Sequence, residues 1–256
     1  MKWRNLAEHL THRVVLRRRL PEPFPRLPFY VSSEGGLRYL RPSLSDVDPT
    51  LLRTALRCVR PGQVVWDVGA NVGLFSIAAA ALAGSGGRVL AMEPDTWLVS
   101  LLRRTAAGAG PRAPIEVLPV AACDENGLAG FSIAKRNRST SHLDGFGTTQ
   151  TGGTRRHETV ATMTLDRLLD LRPAPDFLKV DVEGAELQVL RGAEEVLRLG
   201  VTLLVEVGTE HSVEVAQLLH PHGYRFFDAE NAGFPECELP PYSTLAATNL
   251  QRIGKK

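Results

Sequence analysis

The stretch from Val64 to Gly73, VVWDVGANVG, constrains this chain more than any other. An apolar run ends in Gly69-Ala70-Asn71-Val72-Gly73 and passes directly into the Ala-rich segment that follows. The pattern reads as a strand, a tight glycine turn and a helix. Glycine at 69 and 73 lets backbone approach a ligand closely, because no Cβ intervenes. The helix behind the turn presents free N–H groups and its positive dipole end. In a doubly wound sheet, nucleotides bind at such a turn.

The chain around it repeats the same alternation. Asp48-Pro49 reads as an N-cap followed by Pro at the first helical position, opening a helix to about Val59. Strands are expected at 64–68, 88–92, 115–120, 177–182, 201–207 and 224–227. Helices are expected at 72–82, 97–107, 185–199 and 213–220. Strands separated by helices imply a mostly parallel sheet covered on both faces. Upstream, Trp3, Leu6, Leu10 and Val14 recur at helical spacing, so residues 1–20 read as a helix with Arg13, Arg17, Arg18 and Arg19 at its end. Pro21, Pro23, Pro25 and Pro28 then read as a stiff extended connector. The division that follows is an appendage over 1–47 and a main domain over 48–256. Residues 135–158 interrupt the alternation with a polar loop rich in Ser, Thr and Gly that carries Lys135, Arg136, Arg138, Arg155 and Arg156. A loop of that length in a compact domain is a lid, an acceptor contact or a solvated excursion.

Composition excludes several classes. Of 256 residues, 43% are hydrophobic and 23% charged, which suits a folded domain with its own core. A net charge of +2 and 6% aromatic residues argue against a dedicated nucleic-acid binder. Cys58, Cys123 and Cys237 are isolated and odd in number, which argues against disulfides and a zinc site and for a reducing cytoplasm. The most apolar stretch is too short to cross a membrane. No apolar core follows the basic N-terminus as in a secretory signal, and membrane-surface contact by the first helix is the less favoured reading.

Two further features carry chemistry. Glu93 stands 20 residues after Gly73, at the end of the second strand. An acid at that place accepts hydrogen bonds from ribose hydroxyls. The loop lacks the middle glycine of a dinucleotide fingerprint, and Asp67 precedes it. A carboxylate there opposes a pyrophosphate and favours an ammonium-bearing ligand such as the methionine part of S-adenosylmethionine. The other feature is FLKVDVEGAE, 177–186, where alternation sets Lys179, Asp181 and Glu183 on one side. Ionisable groups on an internal strand need partners or a position at the sheet's mouth, and Asp181 and Glu183 fall at that carboxyl end.

DVGANVG, Glu93-Pro94, Thr164-Leu165-Asp166 and Lys179-Val180-Asp181-Val182-Glu183-Gly184, with Leu190-Arg191-Gly192-Ala193 and Glu206, resemble the FkbM family of methyltransferases over about residues 48–230. The resemblance implies a class I, Rossmann-like fold: a doubly wound, mostly parallel, seven-stranded sheet that binds S-adenosyl-L-methionine and methylates an oxygen of a sugar or secondary metabolite. It implies that Asp67, Gly69, Ala70, Asn71, Gly73 and Glu93 hold the cofactor, with Ala122 to Asp124 near its adenine. Asp181, then Glu183, then His211 are the candidate general bases, with His142 a more distant one. Val207-Gly208-Thr209-Glu210 stands between Glu206 and His211, where relatives often carry His sooner. Mg²⁺ on Asp181, Glu183 and Glu206 is the less favoured mechanism, since no close Asp-Asp or Asp-Asn pair follows. Leu239-Pro240-Pro241-Tyr242 reads as a turn. An NAD-dependent oxidoreductase and a non-catalytic binding protein on the same scaffold are the competing functions.

Overall fold

The computed structural model describes residues 14–44, 46–135, 137–147 and 153–254. The chain begins with a hairpin. Strand β1 (Val15–Arg19) pairs antiparallel with β2 (Pro28–Ser32). The helix expected over 1–20 is therefore wrong where it can be compared; Trp3, Leu6, Leu10 and Arg13 lie outside the described residues. The prolines form a turn between two strands rather than a stiff connector, and Phe24 and Leu27 fold inward from it. Burial decides this. Phe29 and Val31 of β2 enter the main core, and the Tyr30 N–H donates to Thr105 Oγ1 (3.0 Å).

From Asp48 on, elements alternate as the pattern requires. Helix α1 (Pro49–Cys58) is capped by Asp48, whose carboxylate accepts from the Leu51 N–H. There follow β3 (Val64–Val68), α2 (Leu74–Ala83), β4 (Arg88–Met92), α3 (Thr96–Ala106) and β5 (Ile115–Leu118). Next come β6 (Ala121–Ala122), β7 (Gly127–Ala134), β8 (His142–Leu143), β9 (Thr154–Met163) and the short helix α4 (Leu165–Leu169). The last third holds β10 (Phe177–Val180), α5 (Glu186–Arg191), α6 (Glu194–Arg198), β11 (Thr202–Glu206), α7 (Ser212–Leu219), β12 (Arg225–Asp228), β13 (Glu236–Cys237) and β14 (Ser243–Ala247).

Eight strands form the main sheet, in the order β5-β4-β3-β10-β11-β14-β12-β13. The pairs among β5, β4, β3, β10 and β11 are parallel, and β14 inserts antiparallel between β11 and β12. This is the Rossmann-like class I methyltransferase arrangement, with one more strand than the seven expected: the two-residue edge strand β13. The alternation expected from the sequence also missed β14. Apolar clusters fill both faces. Val65 and Phe177 pack toward α1, α2 and the N-terminal hairpin, while Trp66, Val68, Leu178 and Val180 pack toward α5, α6 and α7.

Two corrections shape the site. The polar stretch 135–158 is not one loop. The long strand β9 begins within it and pairs with β7, and β8 joins them in a separate four-stranded sheet, β6-β9-β7-β8. The first half of β9, Thr-Arg-Arg-His-Glu, is largely exposed on both faces and so shows no apolar alternation. Arg136 lies outside the described residues. The helix expected over 185–199 breaks at Gly192, where a Cβ would overlap the Cys123 carbonyl oxygen of the second sheet. Backbone contact there replaces helix propensity.

Candidate active site

The carboxyl ends of β3, β4 and β10 meet at one crevice, as the parallel topology dictates. Lys179 organises its floor. Its Nζ lies 3.2 Å from Asp67 Oδ1 and 3.5 Å from Asp181 Oδ2, and donates to the Gly69 carbonyl at 2.7 Å. Asp67 also accepts from Ser76 Oγ. Burial alone would lower the Lys179 ammonium, but Asp67 and then Asp181 hold it above its ordinary value. Asp67 is wholly buried and spends its carboxylate on these partners, so it does not face the crevice as the sequence suggested.

Above this pair the glycine loop turns tightly. Gly69 has φ 73°, and a Cβ there would overlap the Asp181 carbonyl oxygen. Asn71 is also left-handed, with φ 52°. Its backbone N–H donates to Glu93 Oε2 (2.8 Å), while the Asp95 N–H donates to Glu93 Oε1 (2.9 Å). Burial pushes the Glu93 carboxyl up to about 7 against these two amides. Gly73 has φ 86° and caps α2, where a Cβ would press on Leu102. Its requirement is helix packing, because Gly73 and Ala70 do not line the cavity.

The cavity itself is lined by Gly69, Asn71, Glu93, Asp181 and Glu183 from the main sheet and by Val120, Ala121 and Ala122 beyond β5. Asp124 stays off this wall; it is exposed and accepts from Cys123 Sγ. The remaining walls were not legible beforehand. Arg38 comes from the 3₁₀ turn Leu37–Leu40, and Phe131, Arg138, Ser139, Ser141 and Leu143 come from the second sheet and its connections. Arg138 is buried, donates from Nη1 to both oxygens of Asp95 (2.9 and 2.6 Å) and from Nε to Glu34 (2.7 Å). It ties the N-terminal segment, the α3 cap and the second sheet around one cavity. A lone Arg in a polar stretch carries no sequence signal for such a network.

Glu183 sits where two spaces join. It lines the cavity and also an adjoining open groove with Glu206, Glu210, His211, Tyr242 and the 145–147 loop. Its backbone is left-handed, φ 59°, which is costly for a residue with a Cβ. The Glu186 carboxylate holds this turn by accepting from the N–H groups of Val182 and Gly184 on either side of Glu183. Burial, then Asp181 and Glu206, push the Glu183 carboxyl up to about 8. Burial and Asp181 push Glu206 up to about 7, although Tyr242 Oη donates to it (2.7 Å). His211 reaches the groove but not the cavity, and its Nδ1 is buried with no hydrogen-bond partner among the described residues. His142 is buried with Nδ1 3.2 Å from the Thr140 carbonyl and lines neither space. Tyr242, read as part of a turn, is a groove residue. Among the described residues, no group of three or more His, Cys, Asp or Glu has the arrangement of a metal site, and no helix is long and apolar enough to cross a membrane.

Residues 67–226 match the family model of the methyltransferase FkbM domain. Hexuronic acid methyltransferase AglP of Haloferax volcanii is 30% identical over 159 residues, which are 61% of this chain and 61% of that protein. The chain thus spans under two thirds of that relative's length. Among solved structures, methyltransferase FkbM from Methylobacillus flagellatus is 16% identical over 62% of this chain and 47% of its own, with a TM-score of 0.38. Aeropyrum pernix fibrillarin, solved with S-adenosyl-L-methionine, is 15% identical over 77% and 73%, with a TM-score of 0.45.

Two outcomes follow from these electrostatics. Lys179→Met strands the buried Asp67 carboxylate and lowers stability by about 3–5 kcal/mol in urea unfolding, while adding Asp67→Asn recovers part of the loss. The carboxyls of Glu93, Glu183 and Glu206 bind protons more tightly folded than unfolded, so their contribution is complete below about pH 4.5 and is lost as pH rises through 7 to 8. The free protein should melt at a higher temperature at pH 6 than at pH 8.5, and Glu183→Gln should narrow that gap; equal melting temperatures would refute the raised carboxyls.

Proposed function

Because the chain belongs to the FkbM methyltransferase family, we propose that it is an S-adenosylmethionine-dependent methyltransferase that methylates a hydroxyl of a sugar or glycan, with Glu183 as the general base. The observation that carries the reading is the meeting of Gly69, Glu93, Asp181 and Glu183 on one cavity wall. The residues fit the cofactor. Each Glu93 oxygen accepts one backbone N–H and keeps a lone pair for a ribose hydroxyl. Asp181, about one third exposed, offers a carboxylate to an ammonium. Arg38 faces the same wall, only 3.6 Å from Asp48 in a loose pair, and offers a guanidinium to the cofactor's carboxylate. Val120, Ala121 and Ala122 give an apolar wall for the nucleoside. Asp67, Ala70 and Gly73 act from behind it, and Asp124 has no direct part. A diphosphate would meet Glu93, Asp181 and Glu183 together, which disfavours the nicotinamide alternative.

When bound, S-adenosylmethionine supplies an electrophilic methyl group on a sulfonium. The chain must then align an acceptor oxygen and remove its proton. Glu183 is suited to both tasks, since it opens to the cavity and the groove alike and its carboxyl titrates near neutrality. A Glu183 oxygen would take the acceptor's proton as the methyl leaves sulfur for the acceptor oxygen. Asp181 and Glu206 flank this position, and their charge stabilises the proton once transferred. The sugar class rests on the AglP similarity and on a groove that sets Tyr242 beside carboxylates able to accept hydroxyl hydrogen bonds.

Calorimetry with S-adenosylhomocysteine tests the cofactor site: Gly69→Ala should abolish binding, and an unchanged affinity would count against the site. Glu183→Gln should keep that affinity while kcat falls by about 10²-fold or more. In the unaltered protein kcat/KM should rise with pH through about 8, and the variant should lose this limb. A variant with wild-type turnover would remove Glu183 from the base role.

A further inference from the structure

The N-terminal hairpin carries a second concavity of opposite charge. Arg17, Arg18, Arg19 and Arg26 line an open groove whose far wall is Pro42, Ser43 and Leu44. Glu22 is the only acid among the described residues on this lining. Arg18 Nη2 donates to the carbonyls of Arg41 (2.5 Å) and Pro42 (2.9 Å), and Arg19 Nη1 donates to the Arg26 carbonyl (3.1 Å). These bonds fix two guanidiniums and leave their other N–H groups toward solvent. Arg17 and Arg26 are exposed. No described carboxylate ion-pairs with any of the four, whereas Arg138, Arg172, Arg198 and Arg225 each hold at least one. Four guanidiniums, two of them anchored and none ion-paired among the described residues, suit planar anions, which each fork meets through two parallel hydrogen bonds.

The lining narrows the occupant. Among the described residues it holds no aromatic ring on which bases would stack. Leu20 and Leu44, the large apolar residues among the described residues of this lining, are both buried and do not stand out to enter a bilayer. The active-site groove supplies the complementary fact. Glu183, Glu186, Glu206 and Glu210 line it, and among its described residues this wall offers an anion neither lysine nor arginine at the reacting end of an acceptor. Anionic units of a longer acceptor need a place elsewhere on the protein. The segment 33–44 offers one, since Arg38 faces the cofactor cavity while Pro42 to Leu44 face the arginine groove.

We propose that the arginine groove binds an acidic oligosaccharide, whose uronate carboxylates dock on the guanidinium forks as an acceptor subsite remote from the transferred methyl. The class of chain rests on the glycan reading above, but the test is binding alone, so the two fail separately. Fluorescence anisotropy with a labelled oligogalacturonate, on the full chain with S-adenosylhomocysteine added, should show binding that weakens about tenfold between low and physiological salt. Arg17→Ser/Arg26→Ser should weaken it about tenfold more, by removing two forks, while leaving S-adenosylhomocysteine affinity as it was. Labelled maltohexaose, which is neutral, should not bind. Equal affinity in the variant, or no oligogalacturonate binding at low salt, would overturn the proposal. Tighter arginine-dependent binding to phosphatidylserine vesicles or to an RNA oligomer would overturn it too. Loss of S-adenosylhomocysteine binding by the unaltered protein would remove the methyltransferase reading and leave the anisotropy result to judge the groove.

Discussion

The Lys179 ammonium, buried under the Gly69 carbonyl and between Asp67 and Asp181, holds the site together. Strand β10 pairs directly with β3, Lys179 standing opposite Asp67, and this ion pair joins the two strands toward their carboxyl ends. An unpaired charge in that interior would cost several kcal/mol, so each of the three groups requires the others. The arrangement also divides labour between the two aspartates. Asp67 is consumed inside, where it orients Lys179 and accepts from Ser76 of α2. Asp181 keeps part of its carboxylate at the surface of the cavity. The glycine loop is thereby held from below by a lysine and from the side by the Asp181 backbone, whose carbonyl leaves no room for a Cβ at residue 69.

Around this pair the site collects more carboxylates than cations. Glu93, Asp181, Glu183 and Glu206 lie on adjoining walls, and three of them hold their protons toward neutral pH. Such an excess is unfavourable for an empty pocket and favourable for a cationic ligand. It also poises Glu183 as an acceptor of protons, since an ordinary exposed glutamate is too weak a base to compete for a hydroxyl proton. The strained Glu183 turn persists because Glu186 bonds its two neighbours and the 145–147 loop packs directly on Gly184. Strain maintained by surrounding structure at the junction of two cavities is a usual mark of a working residue.

The second sheet closes the cavity and was the least visible part of the chain. The first half of its strand β9 falls in the stretch that reads as a polar loop, because both of its faces are largely exposed. Alternation, the signal for a strand, needs a buried face. Arg138 follows the same logic. Nothing in Asn137-Arg138-Ser139 distinguishes a surface arginine from one buried between Asp95 and Glu34, some forty and one hundred residues away in the chain. The N-terminal hairpin was misread for the converse reason. Trp3, Leu6, Leu10 and Val14 at helical spacing suit a helix, but over Val15–Arg19 the chain pairs with β2, whose Phe29 and Val31 gain more by burial in the main core than local propensity supplies.

The sequence by itself determined the parallel α/β core, the glycine turn at 69–73, the acid at the end of the second strand, and Lys179, Asp181 and Glu183 on one side of another strand with the two acids at its mouth. These are local matters of period, punctuation and spacing, and short-range sterics decide them. Only the tertiary structure decided that Asp67 faces inward, that Gly73 serves helix packing, that Asp124 stays off the wall and that Glu183 rather than His211 borders both spaces. Those outcomes depend on which charges find partners across the fold. Pairing energy inside a protein is set by distance and burial, and neither is written in the order of residues.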